Sequence, residues 1–460
     1  MAVSMTGARL DRLPICSFHY RLLALISAGM FIDAFDIYLM GPVLAELVRT
    51  KWTTPADVAT FISITFLGLF LGTVVSGWLG DRFGRRTTYQ LNLLIFGLAS
   101  LAAAAAPNYT VLLICRFVAG IGLGGEIVTG YATLAEFVPA RNRGNWQGYL
   151  ITLTNAGLPA SAFVALAVIP SLGWRWMFVI PGVLALIVWL MRKNMPESPR
   201  WCEIHGRKAE ADAILTKTEA AVEKATGKSL PSLSAVVSGE SVDGAPAMGL
   251  GALFRGVLLR RVIIGVLLMV FLNFGYTFLT WVPTILLQSG KDIFNTLLLT
   301  SIMQLGAIPG GLIGGWGSDR LGRRGGIIAF SVLITVFAVV FGFMKDPMGL
   351  AVIGFMVILG TYALAAVIYT YVPELFPTAV RLRGAGTCIA VSRVTNAMGP
   401  YAVAFILTTA GATGVFIVVG AVVLLNAIVM GAFGEETRGK SLETIGEDVA
   451  ATPHAPLTAN

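Results

Sequence analysis

Five ionisable side chains stand inside long apolar runs: Asp33, Asp36, Arg116, Glu126 and Arg393. A charge at the centre of an apolar helix costs about 2.5–3.5 kcal/mol on insertion scales, so each of these groups needs a partner or a task. Asp33 and Asp36 are three residues apart and share one helix face. Two carboxylates that close do not both ionise readily in a low-dielectric site, and such a pair suits the holding of a proton. Arg116 lies about seven residues in from the outer end of its run and Asp36 about eight from the outer end of its own, depths that agree to within a turn at about 1.5 Å per residue. An Asp36–Arg116 pair is therefore expected, serving either proton coupling or a static tie between two helices. Arg393 falls near the middle of its run with Asn396 at i+3. Its planar guanidinium suits bidentate binding of a carboxylate, carried by a bound solute or by an internal acid such as Glu126 or Asp33. Glu126 reads equally as a second proton site or as the partner of an arginine.

Uncharged polar residues add a second set. Asn273, Tyr276, Thr277 and Thr280 recur at i, i+3, i+4 and i+7, a stripe that must face protein or water. With Trp281 beside it, the stripe either lines a pathway or ties helices together. Tyr362 and Tyr369, seven apart, suit stacking on a flat molecule or ordinary aromatic packing. Asn155 and Gln304 are further pathway candidates. The four cysteines are scattered without a CxxC pair, and the three histidines join no acidic or cysteine cluster. No catalytic residue, metal site or cofactor is expected.

The elements that must position these groups follow from composition. Of the 460 residues 56% are hydrophobic and 13% charged, with a mean hydropathy of +0.79. That charge is about half the usual share of a soluble protein, whereas a bilayer tolerates it. Hydrocarbon admits only helices and closed barrels, and apolar runs of about 20 residues point to helices. The expected fold class is an all-α membrane protein with twelve transmembrane helices, near 20–44, 58–80, 88–106, 109–137, 146–170, 174–192, 258–287, 296–318, 326–345, 348–373, 384–408 and 411–433. A polar stretch divides them, so the expected domains are a six-helix bundle at 1–193, a linker with short helices at 194–257, a second bundle at 258–434 and a tail at 435–460. With the N-terminus inside, Arg49, Lys51, Arg175, Lys291 and Lys345 fall outside, Arg116 and Arg393 lie within spans, and the other basic residues gather on the inner side. That asymmetry places both termini in the cytoplasm of a cell whose inner membrane the chain spans. The net charge of +8 is then answered by anionic lipid, with no nucleic-acid partner.

The two halves repeat one another. Gly80-Asp81-Arg82-Phe83-Gly84-Arg85-Arg86 follows the second span and Ser318-Asp319-Arg320-Leu321-Gly322-Arg323-Arg324 the eighth. Glu136-Phe137-Val138-Pro139 leads to Arg143 after the fourth span, and Glu374-Leu375-Phe376-Pro377 leads to Arg383 after the tenth. The G-W-x-[GS]-D-R-x-G-R-R pattern at Gly77 and Gly315 resembles the signature of the major facilitator superfamily. That resemblance implies two pseudo-symmetric six-helix bundles, a functional monomer, and a site for a small-molecule substrate between repeats. Pro196-Glu197-Ser198-Pro199-Arg200-Trp201 and Glu436-Thr437-Arg438-Gly439-Lys440 resemble marks of its sugar-porter branch, with Glu435 where proline is usual. Asp33-Ala34-Phe35-Asp36 is similar to the D-G-x-D mark of aromatic-acid:proton symporters. Trp281-Val282-Pro283-Thr284 resembles a stretch of those families and of nicotinate-type carriers. Proton-linked sugar porters pair an Asp of the first span with an Arg of the fourth at positions resembling Asp36 and Arg116, and organic-acid symporters carry an arginine in the span of Arg393.

The expected function is therefore proton-coupled symport of a small organic anion, a carboxylate, aromatic ones included, by alternating access, without enzyme activity. Sugar or polyol symport is the alternative, weakened because the seventh span lacks that branch's paired glutamines. Drug efflux and a non-transporting nutrient sensor stand further back. At the inner ends of the helices, Asp81 with Arg85 and Arg86, Glu136 with Arg143, Asp319 with Arg323, and Glu374 with Arg383 are expected to bridge the two halves and bias their conformation.

Overall fold

The computed structural model describes residues 5–139, 143–227, 229–231, 253–288, 290–376 and 380–437. The Ser/Gly-rich part of the linker and the tail beyond residue 437 lie outside the described residues. All regular structure among the described residues is helical, and ten helices are long and apolar enough to cross a membrane. The chain forms two compact units, Met1–Thr53 with Ile64–Val242 and Thr54–Ser63 with Asp243–Asn460.

The first unit begins with a short helix α1 (Met5–Asp11), followed by α2 (Ser17–Arg49), α3 (Pro55–Phe83, of which the stretch to Ser63 counts with the second unit), α4 (Arg85–Ala104), α5 (Tyr109–Phe137), α6 (Arg143–Asn155), α7 (Gly157–Leu172) and α8 (Trp176–Met191). Helix α2 packs against α5, α6, α7 and α8, and α4 against α5 and α8. Helices α3 and α5 approach backbone to backbone. A Cβ on Gly120 or Gly124 of α5 would strike the carbonyl of Thr65 or Leu69 on α3. The glycine run before Glu126 is thus a close-packing seam between membrane helices.

Two short helices continue this unit, α9 (Pro199–Ile204) and α10 (Lys208–Thr226). Leu10 and Leu13 bury against Leu215 and Val222 of α10. Arg9 reaches Asp212 and donates to Glu219 at 2.7 and 3.0 Å, and Arg12 donates to Glu219 at 2.6 Å. Burial alone would raise the Glu219 carboxyl, but the hydrogen bonds from Arg9 and Arg12 outweigh it and hold the group below the usual carboxylate range.

The second unit contains α11 (Gly256–Gln288), α12 (Ile293–Gln304), α13 (Ala307–Phe343), α14 (Pro347–Glu374) and α15 (Arg381–Phe433). Helix α13 packs on α14 and α15, α11 on α15, and α12 on α14. Two of these long helices are broken by glycines with positive φ, Gly322 in α13 (+76°) and Gly411 in α15 (+68°). Glycine enters that region without the Cβ clash other residues suffer. The breaks fall where the sequence places a loop and a span boundary.

Candidate functional site

The acid pair of α2 divides in the structure. Asp36 accepts two hydrogen bonds from Arg116 of α5, at 3.0 and 2.6 Å, and both side chains are fully buried. Phe178 of α8 covers the guanidinium, 5.3 Å from its ring centroid. Asp33 is also buried, yet neither of its oxygens meets a hydrogen-bond partner among the described residues.

Glu126 is buried and pairs with Arg192 at 2.5 Å. Arg192 opens the 3₁₀ turn after α8 and also donates to the carbonyls of Leu25, at 2.7 and 2.9 Å, and Ile26, at 3.1 Å. Its guanidinium stacks 4.1 Å over the ring of Tyr89 on α4. This corrects two expectations. Arg116 and Arg393 are not the only arginines drawn into the helical core, and the partner of Glu126 is Arg192, not Arg393. Arg192 escapes a reading of hydropathy because it ends an apolar run beside Lys193, where a basic residue looks like an ordinary loop charge. Glu126 was the available signal, since a buried acid calls for a cation.

Arg393 is partly buried in α15 and makes no hydrogen bond or ion pair among the described residues. Asn396, on the same face, is buried. One residue before Arg393, Ser392 accepts a hydrogen bond from the Asn273 amide at 3.1 Å, and that amide also donates to the Met269 carbonyl at 2.8 Å. Asn273 therefore ties α11 to α15. Tyr276 and Tyr362 meet edge to face, 5.5 Å between centroids, whereas Tyr369 is 46% exposed and does not share that contact. Thr280 is buried, and the side chain of Thr277 lies outside the described residues. Trp281 is fully enclosed, and neither its Nε1 nor Oε1 of the buried Gln304 has a hydrogen-bond partner among the described residues. Asn155 ends α6 and is partly buried. A cavity of about 630 Å³ in the second unit, lined by Lys291, Asp292, Asn295 and Asp346 among others, touches none of these residues. No cluster of three metal-ligating side chains occurs among the described residues.

At the helix ends, the described pairs join members of different expected sets. Arg85 pairs with Glu136 at 3.2 Å in the first unit, and Arg323 with Glu374 at 2.9 Å in the second. These pairs lie within their own units, so the described partners of Arg85, Glu136, Arg323 and Glu374 do not bridge the halves. The side chains of Asp81, Arg143, Asp319 and Arg383 lie outside the described residues. Sequence neighbours had suggested other partners because a helix end is read locally, whereas these contacts join chain segments 51 residues apart in both halves.

Two further acids complete the pattern. Glu197 accepts from the amides of Arg85 at 2.8 Å and Arg86 at 3.1 Å, at the start of α4. Glu436 accepts from the amides of Arg323 at 2.9 Å and Arg324 at 3.1 Å, after the break at Gly322. Each acid satisfies otherwise orphaned N–H groups and sits at the positive end of a helix dipole. Gly84, with φ +94°, and Gly322 each lie where a Cβ would collide with the capping carboxylate. Arg86 also donates to the Lys193 carbonyl at 2.5 Å, and Arg324 to that of Gly431 at 2.6 Å. Glu435, which departs from the usual proline, pairs with the buried Arg261 at 3.1 Å. The repeated E-S and E-T marks carried the signal for these caps.

Comparison with known proteins agrees with this architecture. Residues 22–449 match the family model described as Sugar (and other) transporter. The chain is 36% identical to an inner membrane metabolite transport protein of Escherichia coli (strain K12), over 96% of this chain and 98% of that one. It is 33% identical to the niacin transporter of Acinetobacter baylyi, over 95% and 99%. The fold resembles that of the xylose transporter from E. coli in a partially occluded inward-open conformation, with a TM-score of 0.73 and 19% identity over 92% of this chain and 100% of that one. The chain is thus a multi-pass membrane transporter, not an enzyme, and it belongs to the sugar (and other) transporter family of the major facilitator superfamily.

Proposed function

We propose that the protein is a proton-coupled symporter of a small organic anion carrying a carboxylate. The observation that carries this reading is Arg393, a half-buried guanidinium with no counter-ion among the described residues. A charge so placed is costly, and a substrate carboxylate compensates it during transport. The buried polar atoms of Trp281 and Gln304 that lack partners among the described residues are further points for a polar solute to engage. The resemblance to a niacin transporter supports the class, since niacin is an aromatic carboxylate. The proton enters through the acid pair of α2.

The proposed architecture has twelve spans. Ten helices qualify by length, the shorter apolar helix Trp176–Met191 adds one, and Gly384–Phe433, 50 residues long and broken at Gly411, counts as two. Domains at 1–193, 194–257, 258–434 and 435–460, both termini in the cytoplasm, a place in the inner membrane and function as a monomer belong to the same reading. Asp81, Arg143, Asp319 and Arg383 tune the conformational equilibrium without touching substrate.

Uptake into proteoliposomes tests the proposal, with labelled aromatic and aliphatic carboxylates beside neutral sugars and cations, with and without an inward proton gradient. Gradient-driven accumulation of carboxylates is expected. Selective accumulation of neutral sugars would refute it. Arg393→Ala should weaken carboxylate binding by about 1.5–3 kcal/mol, roughly 10- to 100-fold, the worth of a hydrogen bond to a charged group. Arg393→Lys keeps the charge but loses the planar fork and should fall between. Unchanged affinity in Arg393→Lys and Arg393→Ala would remove the arginine from the site.

A further inference from the structure

Among the described residues, the interior of the first unit encloses three carboxyls and two guanidiniums that are each at most 1% exposed, Asp33, Asp36, Glu126, Arg116 and Arg192. Three carboxyls meet two guanidiniums. Arg116 closes on Asp36 and Arg192 on Glu126. Asp33 is the acid left over, with no donor at either oxygen among the described residues. An unpaired carboxylate in such a place carries a desolvation penalty of several kcal/mol, which a proton removes.

The surroundings of Asp33 supply a second element. One turn before it on α2, a Cβ on Gly29 would collide with both Arg192 and Glu126. The Glu126–Arg192 pair therefore lies against the turn that precedes Asp33. The charged groups acting on Asp33 are Glu126 and Arg192, with Asp36 on its own helix. Tyr89 of α4 lies under Arg192. Helices α7 and α8, packed on α2, bring no titratable side chain, and the Arg143 side chain of α6 lies outside the described residues.

We infer that Asp33 carries the coupled proton, that the Asp36–Arg116 pair is a fixed strut, and that Arg192 is a positioning residue shared between Glu126 and Asp33. With Asp33 a neutral acid, Arg192 rests on Glu126, as observed. When Asp33 gives its proton to water, one negative charge remains, and the carboxylate competes with Glu126 for the guanidinium. Arg192 also holds the carbonyls of Leu25 and Ile26, so its displacement loosens the end of α8 from α2. Loss of the proton thereby becomes a change in helix packing. This assignment rests on the proton-coupled reading above.

Infrared difference spectroscopy on the full chain in liposomes, stepped in pH without solute or sodium, reads the site directly. A buried acid without a hydrogen bond gives a carboxylic C=O stretch at unusually high frequency. Wild type should show that band, Asp33→Asn should lose it, and Glu126→Gln, which leaves Arg192 to Asp33, should alter it. Asp33→Asn should also keep solute counterflow while losing gradient-driven accumulation. A band that survives Asp33→Asn but vanishes in Asp36→Asn would overturn the assignment, as would a wild-type band suppressed by sodium, which would make Asp33 a cation site. Wild-type uptake indifferent to the gradient, with the Asp33 band present, would sink the symport reading and with it the coupling role, while still placing a proton on Asp33.

Discussion

The two ion pairs in the first unit differ in what their loss would do. Asp36 and Arg116 are fully buried and joined by two hydrogen bonds. Asp36→Asn leaves a buried guanidinium without its charge partner, a change that costs about 3–5 kcal/mol in comparable sites. The variant is expected to lose thermal stability in detergent, and the double variant Asp36→Asn/Arg116→Gln to regain part of it. A single variant as stable as wild type would show that the pair is not a strut. The pair was legible in the sequence because two charges in apolar runs at matching depth have few other partners. Arg192 was not, because the sequence places it at the edge of a run and only the packing of the end of α8 on α2 draws it inside. Arg393 was legible as a charge inside an apolar run, whereas its lack of a counter-ion among the described residues became visible only once Glu126 was seen to be taken.

At the scale of the elements, hydropathy located the helices well and their ends less well. The apolar period marks where hydrocarbon requires a helix, but α2 runs several residues past its expected span because the backbone continues to satisfy its own hydrogen bonds beyond the apolar stretch. Two helix starts, at Arg85 and after Gly322, are set by long-range caps, whereas Asn108, Asp292 and Asp346 cap theirs locally. Glu197→Gln and Glu436→Gln should each cost about 0.5–2 kcal/mol, the usual range for a lost N-cap. Hydrogen exchange should show the loss at the amides of Arg85 and Arg86 in the first case, and of Arg323 and Arg324 in the second. Protection unchanged at those amides would contradict the capping role. The docking of α1 on α10 has its own pH dependence. Glu219 is held below the ordinary carboxylate range, so its stabilising contribution is full above its unfolded value and is lost as pH falls through the folded one. Acidification should release α1, seen as faster proteolysis near residues 12–16. Glu219→Gln should make that rate both high and independent of pH over the same range.

Across the whole molecule, one wiring plan recurs. Arg85–Glu136 and Arg323–Glu374 share a separation of 51 residues, and the capping acids Glu197 and Glu436 stand 112 and 113 residues from their first amide. Such agreement is the mark of an internal repeat, with the same helix-end electrostatics in both copies. The same alignment shows where the copies differ. Glu126 stands ten residues before Glu136, and ten before Glu374 stands Leu364; Arg116 stands twenty before Glu136, and twenty before Glu374 stands Gly354. Arg393 stands ten residues after Arg383, and ten after Arg143 stands Leu153. Among the described residues the fully enclosed acid–arginine pairs are thus private to the first half, whereas the second holds the buried Arg261 with the part-exposed Glu435 and the half-buried Arg393. The repeat supplies two like frames, and among the described residues only the first of them has come to enclose complete carboxylate–guanidinium pairs.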